Sequence, residues 1–267
     1  MSAPETPPPP RVGLPASDTV LRVFTLQPTT TAAAAELPAR SYQVLRTDLL
    51  DPYDTRPAVI AAALGGAAVD TLVLEQTLGE QFRGTARKAA KISISPAETE
   101  SFSDLPDLID SLAAEDAMID HDPPIGEGAT SGRVTEEHRN VRVRTFLYAA
   151  KREEDNDFHL IVGIDPGEPV PVCLNIELSG TPPESSDHFA KINAARDAFK
   201  AFFVNHPQGR PGFGYDFYDP PIPVDIQGSL FFDITHATGG RPGPEPLRPF
   251  IPVIWEIHPI SEIVLEP

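Results

Sequence analysis

Cysteine, tryptophan and methionine are scarce: one, one and two among 267 residues. The lone Cys173 excludes an intrachain disulfide and a thiolate zinc cluster. In a segment of strand-forming residues it reads as a small buried hydrophobe. Basic residues are also few, 21 Lys and Arg against 39 Asp and Glu, for a net charge of −18. Counterion release needs a surface of Lys and Arg, so general nucleic-acid binding and anionic-membrane binding are disfavoured. Long hydrophobic runs are missing, which gives no helix that spans a bilayer. The first residues lack the basic and apolar regions of a signal peptide, so the cytoplasm is the expected location.

Proline, in contrast, is abundant at 31 residues. Residues 1–17 are Pro-rich with little to bury and read as a solvated tail. Residues 18–120 read as a smaller mixed α/β region. It has strands at Val20–Leu26 and Tyr42–Leu45, a short helix over 57–68, helical spacing over 71–92, and an amphipathic helix from Asp104 to Ile119. Leu64-Gly65-Gly66-Ala67 lacks the Lys-Ser/Thr of a phosphate loop. Arg83, Arg87, Lys88 and Lys91 form the chain's only basic run and read as a solvated helix face. Residues 121–133 are a Pro/Gly-rich linker.

The remaining segment, 134–267, carries the clearest pattern. Strands are expected at 140–151, 157–164 and 170–178. A helix follows, with Ser186 as N-cap and Phe189, Ile192, Ala195, Phe199 and Phe202 as its apolar stripe. Two further strands are expected at 224–234, bulged at Gly228, and at 252–265, split at Pro259. The expected class is α+β: a five-stranded OB-like Greek-key barrel with one helix between strands three and four.

Several pieces of this segment resemble a set of bacterial proteins without an assigned activity. They are Phe158-His159-Leu160, Asn175-Ile176-Glu177, Gly228-Ser229-Leu230-Phe231-Phe232-Asp233 with His236, and Trp255-Glu256-Ile257-His258-Pro259. The resemblance spans about residues 140–265 and implies a shared domain. Many of those proteins carry a Cys after the third strand, where this chain has Thr181-Pro182-Pro183.

Alternation puts Glu256 and His258 on one strand face, and Asp233 opposite the face of Leu230 and Phe232, with His236 just beyond. If these strands adjoin, Asp233, His236, Glu256 and His258 converge at the barrel mouth, with His159 as a fifth member. Two imidazoles and two carboxylates suit zinc, iron or manganese, and an open position there would activate water for hydrolysis. The competing reading is structural: these groups hydrogen-bond one another and fix the 236–250 loop. A second candidate surface pairs Arg142 and Arg144 with Tyr215, Phe217 and Tyr218, a thin version of a basic groove with stacking aromatics. The leading expectation is a non-enzymatic binding domain with a protein or small-ligand partner rather than nucleic acid. The alternative is a metal-dependent hydrolase; a third is a structural accessory domain.

Overall fold

The computed structural model describes residues 20–26, 40–46, 80–204, 211–212 and 214–266. The expected tail, the helix over 57–68 and the start of the helical stretch at 71–79 lie outside them. The described chain is a mixed α/β structure dominated by one eight-stranded sheet, with few helices.

The strands are β1 (Val20–Leu26), β2 (Arg40–Arg46), β3 (Thr99–Phe102), β4 (Asn140–Arg152), β5 (Phe158–Gly163), β6 (Cys173–Leu178), β7 (Asp216–Phe232) and β8 (Trp255–Leu265). Their order is β1-β2-β7-β8-β6-β5-β4-β3, and β7 also pairs with β4. The pairings β4–β5, β5–β6, β6–β8, β8–β7 and β7–β4 therefore return to their start; β6–β8 is parallel and the rest antiparallel. β4 and β7 are the longest of these strands, and each also pairs with a strand outside the cycle, β3 and β2 respectively. Register shifts lie between Leu147 and Ala149 and on either side of Gly228. A Cβ at 228 would lie 2.5 Å from the Pro259 carbonyl oxygen, so only glycine lets β7 and β8 approach there.

Alternation sorts the strand side chains between two faces. Phe158, Leu160 and Val162 of β5 join Leu174, Ile176 and Leu178 of β6 in the main core, with Leu230, Phe232, Trp255 and Ile257. On the other face Ile161 and Cys173 belong to a second apolar cluster with Phe217, Leu247 and Ile251. Among the described residues the one long helix, α4 (Phe189–Val204), packs on β6 and β8. Its buried stripe is Ile192, Ala195, Phe199 and Phe203, so Phe203 rather than Phe202 completes it.

Three expectations change. Residues 80–87 are not helical; only Lys88–Lys91 (α1) is, preceded by Arg87 at φ +47°. Backbone bonds from Phe82 to Thr181 and from Arg83 to Asp155 make this stretch a strap across the sheet, and the basic run does not form a solvated face. The single helix expected over 104–119 is two, α2 (Leu105–Asp110) and α3 (Glu115–Ile119). Tertiary partners take the groups at the break: Arg139 donates to the Ser111 carbonyl, Trp255 Nε1 to the Ala113 carbonyl, and the Ile254 amide to Glu115. β7 begins at Asp216, so the aromatic stretch expected as loop is strand, paired to both β2 and β4. Within 121–133, the Glu127 and Ala129 carbonyls accept from Arg87 and Ala89.

Candidate functional site

On the second face, next to the Ile161–Cys173 cluster, the side chains become polar. Register places His159 opposite Glu177 and Asn175 opposite Glu256, so β5, β6 and β8 present contiguous polar pairs, with His258 two residues beyond Glu256. Asp157, Asn175, Glu177, Glu256 and His258 are each at most 1% exposed.

Each carboxylate has one oxygen committed to a protein donor. The Gly180 amide donates to Asp157 Oδ1 at 2.6 Å. Asn175 Nδ2 donates to Glu256 Oε1 at 2.7 Å and Glu177 Oε1 at 3.2 Å, and His159 Nε2 lies 2.8 Å from the same Glu177 oxygen. The second oxygens, Asp157 Oδ2, Glu177 Oε2 and Glu256 Oε2, have no hydrogen-bond partner, nor does either nitrogen of His258. These orphaned atoms surround the imidazole: Glu177 Oε2 is 2.7 Å and Glu256 Oε2 3.7 Å from Nδ1, and Asp157 Oδ2 is 3.5 Å from Nε2. The 2.7 Å approach lacks the alignment of a hydrogen bond.

Burial is expensive for so many acids, and the titration of each follows. Burial, followed by the charges of neighbouring acids, lifts Asp157 and Glu256 well above the ordinary carboxylate range. Glu177 is also pushed up by burial, but His159, Lys91 and His258 outweigh that and hold it well below. Burial depresses His258 to about 4, so its imidazole is neutral at pH 7. Lys91 Nζ, 3.8 Å from Glu177 Oε2, has its pKa raised because Glu177 and the surrounding acids outweigh burial.

Glu177 and His159 form the floor of a cleft of about 490 Å³. Its walls include Lys91, Lys151, Glu153, Asp155, Asp233 and His236. At its rim Asp233 Oδ2 lies 2.5 Å from His236 Nδ1, and Thr235 also donates to Asp233. These bonds outweigh the effect of burial and lower the Asp233 pKa.

The candidates named from the sequence thus separate into groups. Glu256, His258 and His159 meet in the buried cluster. Asp233 and His236 pair with each other at the rim. The cluster occupies the sheet face opposite the main core rather than a barrel mouth. Asp157 and Glu177 were not named as site residues; the signal for Glu177 was its place directly across from His159. Arg142, Arg144, Tyr215, Phe217 and Tyr218 do not form a surface. Arg142 pairs with Asp225, Arg144 with Glu266, and Phe217 and Tyr218 are fully buried by the pairing of β7 with β2 and β4. Tyr215 instead lines the cleft, with Lys151 Nζ 4.8 Å from its ring centroid.

Among the described residues no helix is long and apolar enough to cross a membrane. Comparison with known proteins gives no match to a family model, a curated protein or a solved structure.

Proposed function

We propose that the ring of strands is an OB-like barrel and that the protein is a binding domain working through the acidic cleft on its outer face. One observation carries this reading. In OB folds ligands sit on the face of the second and third strands, between the loop joining strands one and two and that joining four and five. Here β5 and β6 supply His159 and Glu177, the β4–β5 connection supplies Glu153, Glu154 and Asp155, and the β7–β8 connection supplies Asp233, His236 and Gly243. Independent parts of the chain thus converge where an OB-like domain places its ligand.

Charge selects the ligand. Glu153, Glu154, Asp155, Glu177 and Asp233 line the cleft against Lys91 and Lys151. A phosphate backbone is repelled by that lining, whereas a small amine-bearing ligand is drawn in. Titration calorimetry at low salt with spermidine is the direct test. Saturable binding that weakens in Glu153→Gln and Glu154→Gln is expected; no uptake of spermidine, with salt-sensitive capture of single-stranded DNA instead, overturns the reading.

A second reading, hydrolysis, is favoured by the Asp233–His236 pair. A carboxylate that accepts from Nδ1–H leaves Nε2 as a base on the cleft that Glu177 floors. Turnover of p-nitrophenyl acetate by the wild type that is lost in His236→Ala is the expected result, and equal background rates in both sink it.

A further inference from the structure

Unpartnered polar atoms are rare in protein interiors, and each calls for a water, an ion or a role. Among the described residues, the orphaned oxygens of three carboxylates gather around one imidazole whose own nitrogens are also unpartnered, at 0–1% exposure. The pattern of satisfaction is as telling as the burial. Asp157 is held by the Gly180 amide, Glu177 by His159 and Asn175, and Glu256 by Asn175, each through one oxygen, and each turns its other oxygen toward His258. Donors that fix one oxygen of a carboxylate and leave the second aimed at a common centre are the arrangement that orients metal ligands.

We infer that His258, Glu177 and Glu256 bind one divalent transition cation, with Asp157 orienting the imidazole from behind. Nδ1 is assigned as the ligating nitrogen because it faces two orphaned carboxylate oxygens, at 2.7 and 3.7 Å. Nε2 faces only Asp157 Oδ2, 3.5 Å away, as in a carboxylate–histidine–metal triad. The donor atoms of Asp157, Glu177 and His258 lie within 4.8 Å of one another, which keeps the orienting carboxylate close against the ligands. One imidazole with carboxylate oxygens suits manganese, iron(II) or zinc; calcium takes six to eight oxygens and magnesium keeps most of its waters.

Charge balance points the same way. The cluster buries Asp157, Glu177 and Glu256, and the nearest lysine, Lys91, reaches only Glu177, at 3.8 Å. A divalent ion would offset the negative charge that this burial gathers in one place. This set differs from the one the sequence pattern suggested, since Asp233 and His236 satisfy each other at the rim.

The assignment does not depend on what the cleft binds, and its test does not involve spermidine. Full-length protein stripped with chelator is titrated with MnCl2 and with ZnCl2 by calorimetry, and manganese binding is followed by loss of the free-ion paramagnetic resonance signal. One ion per chain is expected in the wild type, lost in Glu177→Gln and in Glu256→Gln. Those near-isosteric variants are checked for wild-type far-ultraviolet dichroism and cooperative unfolding, so that lost binding is not lost folding. Absence of binding by the folded wild type, or undiminished binding in both variants, overturns the site.

Discussion

Strands β5, β6 and β8 carry two kinds of buried face in one register. On the inner face Leu160, Ile176 and Ile257 are fully buried; on the outer, Glu177, Glu256 and His258 are equally so. Equal burial has opposite energetic consequences. Removing an aliphatic side chain from water stabilises by roughly 1.5–3 kcal/mol, whereas a buried carboxylate costs several kcal/mol unless it is paired. The outer cluster therefore exists at the expense of the inner one, and the fold invests further in covering it. Residues 80–137 provide that cover: Arg87 pairs with Glu137 and donates to the Phe232 and Gly132 carbonyls, and Arg133 donates to the Leu230 and His258 carbonyls. That cost is why the proposed ion and ligand are assigned to this face.

The comparison breaks most severely on the apolar side. Trp255→Ala empties a site in the main core and removes the Nε1 bond to the Ala113 carbonyl that holds the α2–α3 junction. Denaturant unfolding is expected to show a loss of about 3–5 kcal/mol; a loss under about 1 kcal/mol would place Trp255 outside the cooperative core. Next comes the cover. Glu137 accepts from both terminal guanidinium nitrogens of Arg87 and from the Phe232 and Val134 amides. Glu137→Gln leaves Arg87 buried with its charge uncompensated, for an expected loss of about 3 kcal/mol. Hydrogen exchange should then rise first in 80–92; unchanged protection there would show that the strap is held by something else.

How much of this was legible in the sequence follows from the same contrast. The five strands of 140–265 and helix α4 declared themselves through alternation and the phenylalanine stripe, because local periodicity reports which face is buried. Periodicity does not report what buries it. His159 and Ile161 share a face, yet one belongs to the polar cluster and the other to the second apolar core, a distinction set by loops and the strap arriving from far along the chain. Asp157 was invisible as a site residue because its role comes from Gly180 and His258, neither a local neighbour. The stretch 216–223 read as loop because its prolines hide a strand whose partners, β2 and β4, are distant in sequence. Phe217 and Tyr218 therefore looked like a surface and are core.

Within the polar face, the metal assignment separates ligands from orienting groups. Asp157→Asn keeps the Gly180 bond and the size of the side chain while weakening its hold on His258 Nε2. Manganese affinity is expected to fall about 10–100-fold. Complete loss of binding would make Asp157 a ligand in its own right.

Smaller still is the effect of Glu80, which ties the strap to α4 through Arg196 and Lys200. Burial raises its pKa, but the two cations outweigh burial and leave it lowered. A carboxyl lowered in the folded state stabilises fully above its unfolded pKa, and that contribution disappears as pH falls through the folded value. Wild type should exceed Glu80→Gln by about 1 kcal/mol at pH 7, after allowance for partial exposure. The gap should close toward pH 3, and a gap that widened on acidification would contradict the pairing.

The smallest effect is expected at the exposed end of the comparison. Arg142 and Arg144 meet Asp225 and Glu266 away from the acidic cleft, where side chains are 26–66% exposed. Water and salt screen such pairs, and the ordering of two long side chains consumes most of the Coulomb gain. A double-mutant cycle on Arg142 and Asp225 should return a coupling of about 0.5 kcal/mol or less, falling further in 0.5 M salt. Spermidine and manganese binding should be unchanged in Arg142→Ala and Arg144→Ala, because neither residue lines the acidic cleft. A change in either ligand's affinity would tie these basic residues to the site after all, and would mean that separate parts of the outer face are energetically coupled.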